Sequence, residues 1–139
     1  MSRDPVRFYF ACVGNSGRSI MAEAICQRMG ADHVECRSGG SDPYGEVLPQ
    51  AAVALAEIGI DPTPYESKPL DEAFVGACDL VITMGCGEDA CPACLDVELE
   101  DWPLEDPKEL DIAGTRAVRD EIGRRVRGLL KRYDALAER

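Results

Sequence analysis

Apolar and aromatic residues crowd the first part of the chain, where Val6 to Ala11 is broken only by Arg7. That run predicts a buried central strand over 6–11. A helical pattern over 19–30 follows, with Ile20, Ala24, Cys26 and Met29 towards the core, and Gly30 stops it. Here Cys26 reads as a small apolar filler. Residues 33–38 alternate like a second strand, and Gly39 to Gly45 reads as a loop. A second helix runs from Pro49, a favoured first helical position, to Ile58, and Gly59 ends it. The proline-rich stretch 61–69 is irregular, and a short helix covers 70–77. Residues 79–84 form a continuous apolar run, as expected of a parallel strand covered on both faces. A short strand fits 97–99, a loop 101–107, and a final helix 112–136. Along that helix Val118, Ile122, Val126, Leu129, Tyr133 and Leu136 recur at three and four, marking one buried face.

Strands alternate with helices, which predicts an α/β fold. It is one domain over 1–139, a four-stranded parallel sheet with helices on both faces and right-handed crossovers. Ligands of such sheets sit outside the carboxyl ends of the strands. The loop after Ala11 and the loop after Met84 therefore belong to the same edge of the sheet.

The first of these loops carries the chemistry. It reads Cys12, Val13, Gly14, Asn15, Ser16, Gly17, Arg18, Ser19, a cysteine and an arginine five residues apart between a strand and a helix. Gly14 and Gly17 let backbone N–H groups converge without a Cβ in the way. Asn15 tolerates a left-handed conformation. The helix that follows points its free N–H groups and positive dipole end into the same place. Such a ring of donors holds a tetrahedral oxyanion, and Arg18 adds a planar clamp on two of its oxygens. The same field favours a Cys12 thiolate, a nucleophile aimed at phosphorus or arsenic. Ser19 either donates to that sulfur or caps the helix.

Charge narrows the partners. The net charge of −11 excludes general nucleic-acid binding, which needs a basic surface. An anionic substrate must then be drawn in by local positive potential, and Lys68, Lys108 and Lys131 are the only lysines among 15 basic residues. No apolar run approaches the roughly 20 residues of a membrane span, so no membrane association is expected. The first residues lack the architecture of a signal peptide, which points to the cytoplasm.

Of the seven cysteines, Cys86, Cys91 and Cys94 are clustered after the apolar run 79–84. Cys91 and Cys94 have a zinc-like spacing, but a structural site wants four ligands and no second such pair exists, so no metal is expected. A redox relay fits better. A thiolate that has attacked an oxidised centre needs a resolving thiol nearby, then an exposed disulfide for external reduction. Inert loop cysteines are the third reading, and clustered exposed thiols without a role are a liability.

The cysteine–arginine loop followed by Met21-Ala22-Glu23-Ala24 resembles the low-molecular-weight tyrosine phosphatase fold. Within that fold it is most similar to thioredoxin-coupled arsenate reductases. The resemblance implies Cys12 as nucleophile, Cys86 as first resolving cysteine and Cys91 as second. Cys94 is extra relative to the family pattern. The final disulfide is then Cys86–Cys91, with Cys86–Cys94 and Cys91–Cys94 as alternatives. The resemblance also implies a general acid from an Asp-Pro after a tryptophan, matched by Asp106-Pro107 after Trp102. Asp101 and Glu105 compete for that role, and Lys108-Glu109 replaces the family's Ala-Gly. In some family members, residues matching Asn15, Glu23 and Ser38 bind potassium near the loop. Here Lys68 falls where an acidic ligand would lie, and its ammonium takes the place of the monovalent cation. Asp42-Pro43-Tyr44-Gly45 reads as an ordinary connection.

What this implies is reduction of arsenate to arsenite by a cysteine relay, with thioredoxin as reductant and no organic cofactor. The runner-up is a protein-tyrosine or small-molecule phosphatase, because the same cradle hydrolyses phosphoesters. Against it, Gly17 stands where such phosphatases often carry a second cysteine. The Asp-Pro also lacks the tyrosines that follow it there. An arsenite- or metal-sensing thiol protein comes third, although a soft-metal binder needs no oxyanion cradle.

Overall fold

In the computed structural model, residues 4–85 and 97–137 are described. Strand β1 (Val6–Cys12) leads into helix α1 (Arg18–Met29), then strand β2 (Val34–Gly40) and helix α2 (Pro49–Glu57). Helix α3 (Glu72–Ala77), strands β3 (Leu80–Thr83) and β4 (Leu99–Asp101), and helix α4 (Ile112–Arg132) complete the order. The four strands form one parallel sheet in the order β2-β1-β3-β4, with Cys12 opposite Gly40 at the carboxyl edge. The expected α/β architecture is the one observed.

Alternation along β1 divides the core. Phe8, Phe10 and Cys12 face α1, α2 and α4, whereas Tyr9 and Ala11 face α3 together with Phe74, Val75 and Val81. Every residue of α1 from Ser19 to Cys26 is buried, because the sheet, α2 and α4 enclose it. A single apolar stripe was the expectation; an enclosed helix needs apolar or small residues all round. The α4 face is as expected, with Val118, Ile122, Val126 and Leu129 buried.

Several boundaries differ from the sequence reading. Strand β2 runs on through Gly39 and Gly40 where a loop was expected. A side chain at Gly39 would collide with the Tyr9 hydroxyl, and one at Gly40 with the Val13 carbonyl. These glycines are therefore close-approach positions and not turn signals. Strand β4 begins later than the expected 97–99. Helix α4 ends at Arg132 instead of 136. Asp134 there takes a positive φ of 52°, and Leu136 pairs with Gly30 in an antiparallel bridge.

Cys26 is not a free apolar filler. It is joined to Cys36 by a disulfide between α1 and β2, with Cα atoms 6.2 Å apart. Cys12 and Cys78 are the free cysteines among the described residues. Cys86, Cys91 and Cys94, with the relay assigned to them, lie outside the described residues.

Candidate active site

Strand β1 ends at Cys12, and the chain returns through residues 13–17 to start α1 at Arg18. Asn15 adopts φ 45°, the left-handed conformation its side chain tolerates. This bend turns the loop around a pocket of about 220 Å³, lined by residues 12–18 with Tyr44 and Asp106. The N–H groups of Gly14, Ser16 and Gly17 find no protein acceptor among the described residues. The first turn of α1 holds no acidic residue, so its positive end faces the pocket uncompensated. Residues and charge together make an anion site with a cysteine at its floor.

The Cys12 sulfur is held from two sides. The Asn15 N–H donates to it at 3.1 Å, and the Ser19 hydroxyl lies 2.8 Å away. The direction of the second bond follows from its neighbours. Asn15 Oδ1 accepts from the Lys68 N–H at 2.9 Å, which turns Asn15 Nδ2 towards Ser19 Oγ at 2.8 Å and Ser38 Oγ at 3.0 Å. Ser19 Oγ already accepts from Asn15, so its own proton is free for Cys12 Sγ. The sulfur then sits in a position to accept from two donors, the solvation an anionic sulfur needs.

Behind this lies a buried charge. The Ser38 hydroxyl donates to Glu23 Oε1 at 2.6 Å, and Lys68 Nζ stands 3.1 Å from the same oxygen and 2.9 Å from Ser38 Oγ. Glu23 is 7% exposed, so its carboxylate needs the ammonium. The Lys68 ammonium thus lies against Glu23 and Ser38, while its backbone N–H meets Asn15.

Arg18 opens the helix and is tied across the site. Its Nη1 donates to the carbonyls of Met84 and, at 2.9 Å, Leu104. Nη2 lies 3.8 Å from Asp106 Oδ2. One residue thereby joins the Cys12 loop, the end of β3 and the loop before α4. Asp106 begins a one-turn 3-10 helix (Pro107–Glu109), where its Oδ1 accepts from the Lys108 N–H at 3.0 Å. Its other oxygen is left facing the pocket side of Arg18. The competitors are placed elsewhere. Asp101 Oδ1 accepts from Thr83 Oγ1 at 2.6 Å and from the Gly85 N–H at 2.8 Å, fixing the end of β3. Glu105 is exposed and does not line the pocket.

Ser19 supports the sulfur from behind and is not a wall of the pocket, unlike the other loop residues assigned to the oxyanion. Gly85, the residue before Cys86, takes φ +90°, and a Cβ there would stand 3.6 Å from Arg18 Nη1. The last described residue before Cys86 therefore lies near Arg18, at the carboxyl end of β3. Sequence reasoning missed Tyr44. Its proline-flanked turn carried no chemical signal, and only the fold brings its ring over Gly14.

Two other thiol groups are set apart from this chemistry. Burial, reinforced by Asp79, pushes the Cys78 thiol up to about 12, so at neutral pH it is protonated. Cys26 and Cys36 are already paired.

Residues 7–138 match the family model for low molecular weight phosphotyrosine protein phosphatases. The chain belongs to that family. It is 38% identical over 130 residues to an arsenate reductase of Halalkalibacterium halodurans, covering 86% of this chain and 91% of that protein. A thioredoxin-dependent arsenate reductase of Corynebacterium glutamicum has a TM-score of 0.77 and 37% identity. That match covers 94% of this chain, which spans 63% of the other protein's length. An arsenate reductase in its phosphate-binding state superposes with a TM-score of 0.82 at 32% identity, covering 91% of this chain and 98% of its own. An arginine phosphatase from Geobacillus stearothermophilus shares the fold at TM-score 0.81 and 26% identity, with 94% of each chain covered. Among the described residues no helix is long and apolar enough to cross a membrane.

Proposed function

We infer that this chain is an arsenate reductase regenerated by thioredoxin. The observation that carries the reading is the Cys12 sulfur at the floor of the cradle, held by Asn15 and Ser19, with Arg18 and Asp106 lining the same pocket. Arsenate is bound by the loop N–H groups and Arg18. The Cys12 thiolate attacks arsenic, and the departing hydroxide takes a proton from the Asp106 carboxyl and leaves as water. Cys86 then attacks the Cys12 sulfur. The electron pair of the sulfur–arsenic bond stays with arsenic, which leaves as arsenite, and a Cys12–Cys86 disulfide forms. Cys91 attacks Cys86 and frees the Cys12 thiolate. Cys94 is the alternative partner in that last exchange. Thioredoxin's dithiol reduces the exposed disulfide, returning two electrons to each turnover. The cytoplasm, where thioredoxin is kept reduced, suits that cycle. No organic cofactor takes part, and with Lys68 as the built-in cation turnover proceeds without added potassium.

The test follows NADPH consumption with thioredoxin, thioredoxin reductase and arsenate. Arsenate-dependent turnover that Cys86→Ser abolishes is the expected result. Absence of turnover in the wild type, with phosphoester hydrolysis that survives Cys86→Ser, overturns the reading in favour of a phosphatase. The arginine-phosphatase neighbour makes that the second reading, since the cradle alone serves both reactions.

A further inference from the structure

Two loops approach each other over the mouth of the cradle. Tyr44, in the connection from β2 to α2, lies directly on Gly14, where a Cβ would stand 2.7 Å from ring carbons. Its N–H donates to the Gly14 carbonyl at 3.0 Å, which fixes the base of the side chain to the cradle. From the opposite side, Lys108 Nζ reaches to 4.9 Å from the centre of the Tyr44 ring. Lys108 is carried by the acid loop, with its N–H on Asp106. That loop is anchored in turn, because Gln50 Nε2 of α2 donates to the Pro107 carbonyl at 2.9 Å.

We propose that Tyr44 and Lys108 form a cation–aromatic latch across the mouth that makes the site specific for inorganic oxyanions against monoesters. The proposal rests on the arsenate-reductase reading and names the determinant of its substrate class. An oxyanion seated on the cradle sends one oxygen outward, past Asp106. In arsenate that oxygen is a hydroxyl and ends there. In a phosphate or arsenate monoester it carries carbon, which must leave between Tyr44 and the acid loop, where the ring and the ammonium meet. Lys108 also places positive charge at the entrance of a protein of net charge −11, where an approaching dianion needs it. Tyr44 is 50% exposed, so the latch is a surface contact that yields to a small anion without unfolding anything.

The experiment reads the mouth apart from turnover. Iodoacetamide labelling of the Cys12 peptide is followed by mass spectrometry with inorganic phosphate or phenyl phosphate present, in wild type, Tyr44→Ala and Lys108→Ala. Expected is protection of wild type by inorganic phosphate at concentrations where phenyl phosphate does not yet protect. In both variants phenyl phosphate protects at concentrations about tenfold lower than in wild type, and Lys108→Arg behaves as wild type. Equal protection of wild type by the two anions overturns the latch. So does a failure of either alanine variant to admit the ester. Wild type that binds selectively yet shows no arsenate-dependent turnover overturns the reductase reading and leaves the latch standing.

Discussion

Asn15 shows how one side chain in a loop organises a reaction centre. Its backbone takes the left-handed bend, its N–H and, through Ser19, its amide both reach the sulfur, and its Oδ1 is oriented by Lys68. The far end of that chain is a buried glutamate, so the position of the Cys12 sulfur depends on a charge pair several bonds away. Replacing Lys68 with Met leaves Glu23 uncompensated. It is expected to cost about 2–4 kcal/mol, since Glu23 is buried and Lys68 partly exposed. With Asn15 loosened, kcat/KM for arsenate falls about tenfold. Added potassium restores part of both losses in Lys68→Met and leaves wild type unchanged. Urea unfolding and coupled turnover with and without potassium measure this, and a variant as stable and active as wild type would refute it. Cys12, Arg18 and Asn15 are legible in the sequence because their spacing within one loop already implies convergence. Tyr44 is not, because its relation to Gly14 is made by the crossing of two loops distant in sequence.

At the scale of elements, α1 and β2 form one clamped unit. The Cys26–Cys36 disulfide joins them, and the Glu23–Ser38 hydrogen bond joins them again one helical turn and one strand dipeptide closer to the cradle. Both cysteines are buried, so a reductant acting on an exposed disulfide has no path to this one. Replacing both by Ala removes the closure of a segment separated by 10 residues in sequence. The expected cost is about 2–3 kcal/mol, read as a lower urea midpoint. Wild type treated with thioredoxin, thioredoxin reductase and NADPH should keep Cys26 and Cys36 unalkylated while Cys12 is labelled. Labelling of Cys26 and Cys36 under those conditions would show an open pair. Cys26 reads as packing because a free cysteine usually behaves as a small apolar filler; pairing with Cys36 depends on register across the β1–β2 crossover, which composition does not encode. The same holds at the ends of elements. The apolar runs located each strand and helix, but Gly39 and Gly40 read as loop because a glycine needed for close packing looks the same in sequence as one needed for a turn.

For the whole molecule, charge and burial set the pH range of stability. On the acid side, Arg116 and Arg119 hold the Glu57 carboxyl below its usual range, and Arg125 and Arg124 do the same for Glu121. These depressed carboxylates contribute above the unfolded carboxylate range, and their contribution is lost as pH falls through the folded values. All are at the surface, so salt weakens that contribution. On the alkaline side the sign is reversed. Burial pushes the Tyr9 hydroxyl and the Cys78 thiol each up to about 12, from ordinary values of 10.0 and 9.0. In the unfolded chain both groups lose their protons earlier, so the folded state binds more protons between those limits. Stability from these groups is complete below pH about 9 and declines as pH rises towards about 12. The urea midpoint of wild type should therefore be level from neutral pH to about 9 and then fall. Cys78→Ala should make the fall shallower and start it later, because only the Tyr9 contribution remains, with its higher ordinary value. Cys78→Ala should also leave arsenate turnover unchanged, since the thiol stands on the α3 side of the sheet, away from the cradle. An alkaline limb of the same slope in wild type and variant would remove Cys78 from the balance, and a loss of turnover would place it in the relay.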